Sequence, residues 1–246
     1  MSSISSFFES SYYSLVGGFR MDKNTALSSD QQRKLLLGAV YAAQQGFFLN
    51  AITTGTGQSG RRRLLRLLWR VDNREEAKEV LDYLKNAGDR RFFNIIADAL
   101  CTRGREEVEQ LIEQRIPNPE ERRKCMMQYQ FASVSIRALI YEKILQDPDD
   151  YIKIGPDAWD AGRLVFWARV CYEQEFITET EMWNYIDAAD EIAHSSLTSW
   201  DEYGRSYMIG RTLWCGTANY TSTVAGYVKK LMNKPNSPWK LFPFEK

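Results

Sequence analysis

Apolar residues recur at helical spacing along most of the chain, and no stretch alternates in the way a half-buried strand would. SSDQQRKLLLGAVYAAQQGFFLN predicts a helix with Ser29 or Asp30 as its N-cap and apolar positions running from Leu35 to Phe48. In RRRLLRLLWRV, Leu64, Leu65, Leu68 and Trp69 fall near one helical face and the arginines on the other. DNREEAKEVLDYLKNAG has Asp72 or Asn73 as cap, acids in the first turn and Gly88 as a stop. DRRFFNIIADALCTRG and REEVEQLIEQRIP give two more helices, ended by Gly104 and Pro117. Pro119, in a first turn where proline is tolerated, begins a long helix that runs to QDPDD.

A second group follows. It comprises GPDAWDAGRLVFWARVCYEQEF, then TETEMWNYIDAADEIAH, where Thr178 and Glu181 have capping-box spacing. TSWDEYGRSYMIGRTLWCG and TANYTSTVAGYVKKLMN complete it, and KPNSPWKLFPFEK predicts an extended C-terminal strap. The expected fold is all-α, a compact bundle of about ten helices with no sheet. Residues 1–27 form an N-terminal extension and 28–232 one domain, with lobes 28–145 and 156–232 joined by the loop 146–155. The strap is 233–246.

Composition narrows the function classes. Lys plus Arg equals Asp plus Glu at 32 each, which argues against bulk attraction to nucleic acid or an acidic membrane. No apolar run reaches the roughly 20 residues needed to span a bilayer, and the N-terminus lacks the pattern of a signal peptide, so a cytoplasmic protein is expected. Cys101, Cys125, Cys171 and Cys215 are dispersed within apolar runs, which predicts buried, reduced thiols rather than disulfides or a zinc site.

The stretch GTGQSGRRR, residues 55–63, imitates a phosphate-binding loop. Arginines stand where lysine and a hydroxyl residue are required, and a helix end precedes the loop instead of a strand, so it predicts a connection and not a nucleotide site. Arg61, Arg62, Arg63, Arg66 and Arg70 make a basic surface patch, read as a solvated face balanced by the acidic helix that follows. His194, the single histidine, lies at a helix end, where bonding to terminal carbonyls is expected rather than a triad or a metal centre. No cofactor, metal or catalytic residue is assigned.

The richest segment is C-terminal. Trp159, Arg163 and Trp167 recur every four residues, and Asp160 precedes Arg163 by three. Trp200, Tyr203, Tyr207, Arg211 and Trp214 share a second face, while Gly204 and Gly210 leave room for another backbone. Arginine set among tryptophans is usually stacked and paired with a carboxylate. Trp159, Asp160, Arg163, Trp200, Tyr207, Arg211 and Trp214 are therefore either a buried structural knot or an anion or partner site, with the knot preferred.

These residues carry a resemblance. The WD-x-x-R helix with Trp159, Asp160 and Arg163, the pair Ser199 and Trp200, and Tyr207, Gly210, Arg211 and Trp214 in Y-x-x-G-R-x-x-W resemble the bacterial family of domains of unknown function numbered 1266. LLRLLWRVDNREEAKEVLDYLKNAGDRRFF resembles its N-terminal part, except that Arg70 stands where the family has glycine. The likeness extends over roughly residues 60–216. It implies a bacterial, cytoplasmic protein and transfers no catalytic residue. The expected function is a non-enzymatic helical scaffold that binds a protein partner, in an immunity or adaptor role linked to a secreted toxin. The alternative is an enzyme or binder of a small phosphate-bearing anion, with Asp160, Arg163, Tyr207 and Arg211 lining its cleft.

Overall fold

The computed structural model describes residues 18–216 and 221–245. Residues 1–17 of the expected N-terminal extension, and 217–220 at the start of the last long predicted helix, lie outside the described residues. Within the described residues the fold is all-α, without a strand. The helices are α1 (Ser29–Leu35), α2 (Ala39–Gln44), α3 (Gln58–Leu64), α4 (Arg74–Asn86), α5 (Phe93–Cys101), α6 (Arg105–Arg115) and α7 (Pro119–Tyr141). There follow α8 (Asp149–Ile154), α9 (Asp157–Glu173), α10 (Glu179–Ser196), α11 (Trp200–Cys215), α12 (Thr221–Asn233) and α13 (Pro238–Leu241).

Local signals set most of the helix starts. The Asn73 side chain accepts the Glu76 N–H at 2.9 Å, and Asn118 caps α7 with Pro119 next to it. Thr178 and Glu181 close a reciprocal box at the start of α10. At α1 the cap is Ser28, not Ser29 or Asp30. Its hydroxyl accepts from Gln31 N at 3.2 Å while Gln31 Oε1 accepts from Ser28 N at 3.0 Å, a closure that only a residue three before the glutamine can make. The single helix expected from there to Phe48 is interrupted by a 3-10 turn, Leu36–Gly38, packed against α9.

The centre of the molecule is α9, whose residues Ala158 to Cys171 are all buried. Two glycines let neighbours approach its backbone. A Cβ at Gly162 would stand 3.0 Å from the Leu37 carbonyl oxygen, and one at Gly210 only 2.5 Å from the Pro156 oxygen. Around α9 lie α10, α11, α4 and the 36–38 turn. Leu35, Leu36, Leu37, Leu164 and Ile186 are wholly buried there, each contributing about 2 kcal/mol of hydrophobic stabilisation.

The segment 146–155 carries α8, whose Tyr151 is fully buried with its hydroxyl 3.5 Å from Thr212 Oγ1. The C-terminal strap is not extended throughout. Ser237 caps the short helix α13, Trp239 stacks on Trp200 at 4.9 Å, and the Trp239 indole donates to the Leu36 carbonyl at 3.2 Å. His194 fastens the same strap: Nδ1 lies 2.9 Å from the Asp190 carbonyl oxygen and Nε2 2.8 Å from that of Phe244. All four cysteines are free. Burial pushes the Cys125 thiol up to about 11 and that of Cys171 to about 12, but Cys101 is exposed because its side of α5 faces solvent.

Candidate functional site

Arg163 and Asp160, one turn apart on α9, are both buried and paired. A third partner comes from far away in sequence. Asp89, just after the end of α4, accepts from Arg163 Nη2 through Oδ2 at 2.8 Å. Its Oδ1 accepts the Tyr83 hydroxyl at 3.2 Å and lies 3.5 Å from Lys124 Nζ. Burial opposes charge on Asp89, but Arg163 and Lys124 outweigh it and hold the carboxyl below its ordinary range. Asp160 Oδ2 is taken by Arg90, so both Asp160 oxygens are occupied and the residue has no exposed surface. It therefore has no oxygen free to act as a base on a bound substrate.

One edge of this knot opens on a cleft of about 360 Å3. Its walls are aromatic: Tyr41, Trp69, Tyr83, Trp159 and Trp214. Arg163 sits between two of them, its guanidinium carbon 4.8 Å from the Trp159 ring centroid and 5.4 Å from that of Trp69. Asp89, Lys124, Gln128 and Arg163 supply the polar lining. Leu68, Met127 and Trp214 stand at the mouth with 53%, 44% and 54% exposure.

A π-helical turn, Leu65–Trp69, builds one side of the mouth. Its wider winding splits the expected apolar face: Leu65 is buried, whereas Leu67 and Leu68 point to solvent. The turn ends at Arg70, in the left-handed region at φ 55°, ψ 36°. That is the position where the resembling family has glycine, the residue for which this conformation carries no penalty.

The structure brings Trp159, Arg163 and Trp214 together at the cleft, with Tyr207 packed edge-on to Trp159 at 5.1 Å. Trp200 belongs elsewhere, bonding the Phe242 carbonyl at 2.7 Å under the strap. Arg211 is buried, yet it makes no ion pair or side-chain hydrogen bond among the described residues, so Asp160 is not its counter-ion. Asp89, Lys124, Tyr83, Tyr41, Gln128 and Met127 were not singled out by sequence, and Leu68 was read only as part of an apolar helical face. The clue to Asp89 was an acid directly after the Gly88 stop and before two aromatics.

The basic helix is tied down locally. Arg62 and Arg66 pair with Asp72 at 3.2 Å each and Arg61 with Glu173 at 3.4 Å, so Asp72 and Glu173, rather than the glutamates of α4, provide the balance. Arg63 and Arg70 are exposed. The glycine-rich loop has little free backbone to offer a phosphate. The Gly55 and Thr56 N–H groups go to the hydroxyls of Thr53 and Thr54 at 3.2 and 3.3 Å, and those of Gly60 and Arg61 to the Gly57 carbonyl at 3.0 and 3.2 Å. Among the described residues no three His, Cys, Asp or Glu side chains gather as metal ligands, and no helix is long and apolar enough to cross a membrane.

Fold and site together define an all-α protein with a tryptophan-walled cleft backed by a buried arginine–carboxylate knot. Residues 65–244 match the model of the family described as "Protein of unknown function (DUF1266)", and the chain belongs to that family. No curated protein and no solved structure matches it.

Proposed function

We propose that the protein is an interaction module that docks a protein partner over the mouth of the cleft. One observation carries this reading. Leu68, Met127 and Trp214, from three separate elements, are large, apolar and exposed side by side around an aromatic cavity. Such a grouping costs free energy in water and is recovered when a partner covers it. A cavity at its centre suits the anchor side chain that dominates many interfaces. The resemblance to a bacterial family supports a place in the bacterial cytoplasm, with immunity to a secreted toxin or an adaptor role as the setting.

The test is affinity capture from the native host's extract followed by identification of the retained protein. Trp214→Asp and Leu68→Asp should lose that protein. Tyr141→Asp should keep it, because Tyr141 is equally apolar and more exposed but lies about 20 Å along α7 from Met127. Undiminished capture by Trp214→Asp sinks the proposal.

A further inference from the structure

We propose that the inner wall of the cleft recognises a carboxylate carried beside an aromatic ring, so that the partner segment entering it is acidic and aromatic. The inference rests on the docking reading and adds its chemistry. The rings of Trp69 and Trp159 flank Arg163, Trp214 stands 5.8 Å from Trp159, and a cavity of about 360 Å3 admits a planar group between them.

The donors facing this space are not used up by the protein. Arg163 directs Nη2 at both Asp89 and Asp160, while its Nη1 donates to no acceptor among the described residues and its Nε is enclosed without one. Lys124 donates one hydrogen to the Tyr83 hydroxyl at 2.9 Å and lies 3.5 Å from Asp89 as an ion pair, leaving two of its three hydrogens without an acceptor. Asp89 is the only acid in the described lining, and both its oxygens are already engaged. It faces two cations, Arg163 and Lys124. Asp160 pairs with Arg163 as well as with Arg90, and Asp157 lies 4.0 Å from Arg90, but neither acid lines the cleft.

Arg211 strengthens the positive field. It is about nine-tenths buried without an acid partner among the described residues, its Nη1 has no hydrogen-bond partner there, and it lies one turn before the cleft-wall residue Trp214 on α11. A monoanion matches this surplus, and the adjoining rings select an aromatic carrier.

Fluorine NMR on the full chain tests this with 4-fluorophenylacetate, 4-fluorotoluene and 4-fluorophenethylamine as probes. The acetate should bind at least about tenfold more tightly than either of the others. Lys124→Gln should weaken the acetate about fivefold or more. Met127→Glu should weaken it and Met127→Lys strengthen it, at a rim position that makes no hydrogen bond to disturb. Equal binding of acetate and amine, or indifference of the acetate to both Met127 variants, overturns the inference. If no probe binds while capture still depends on Trp214, the carboxylate chemistry fails and the docking reading stands. If the acetate binds but capture ignores Trp214, the docking reading fails and the cleft chemistry survives.

Discussion

Asp160 receives Arg90 twice: its Oδ2 accepts the Arg90 backbone N–H at 3.0 Å and the Arg90 Nη1 at 3.2 Å. This double contact draws the chain after α4 tightly against α9. The approach is so close that Gly88 has no room for a side chain, since a Cβ there would lie 2.0 Å from Asp160 Oδ2.

Gly88→Ala should therefore be among the most damaging single changes in the protein. Its backbone, at φ 62° and ψ −167°, is also a glycine conformation. A loss of about 3–5 kcal/mol is expected from chemical denaturation, combining strain with displacement of a buried carboxylate.

Arg163 and Arg211 should part company in a melting experiment. Arg163→Leu strands Asp89 and Asp160 and should cost about 3–5 kcal/mol. Arg211→Leu removes a buried cation that has no acid partner among the described residues, so its cost should stay under about 1 kcal/mol. Similar losses for the two would mean that Arg211 is paired after all.

Much of the architecture was legible because its signals are local. Thr178 with Glu181, Asn73, Pro119 and Gly88 act within one turn of themselves, and the structure places them as their spacing required. Asp160 with Arg163 was legible for the same reason. The partnership of Asp89 was not, because 74 residues separate it from Arg163, and the local clue after Gly88 marks the acid without naming its partner. The cleft mouth was hidden for a different reason. Helical phasing put Leu64, Leu65, Leu68 and Trp69 on one face, and the π turn breaks that phase.

Arg70→Gly should stabilise the protein by about 0.5 kcal/mol, measured as a rise in the urea midpoint. The left-handed geometry penalises a side chain, and glycine's extra freedom in the unfolded chain offsets part of the gain.

Acid sensitivity should owe a share to Glu181. Arg74 grips it with two hydrogen bonds, at 2.6 and 2.9 Å, and the Thr178 N–H adds a third, lowering its pKa from 4.5 to about 2. A folded value below the unfolded one means stability that is present above pH 4.5 and lost as pH falls toward 2. Solvent screening limits the effect to about 1 kcal/mol. Glu181→Gln should remove that much at pH 7 and flatten the decline below pH 4.5.

The wide turn at Leu65–Trp69 makes the mouth of the cleft a matter of winding as well as of composition. Tightening it to ordinary pitch would rotate Leu68 and Trp69 relative to Trp159 without replacing an atom. Deleting one residue between Leu65 and Trp69 would reshape the socket more than exchanging any one of its walls.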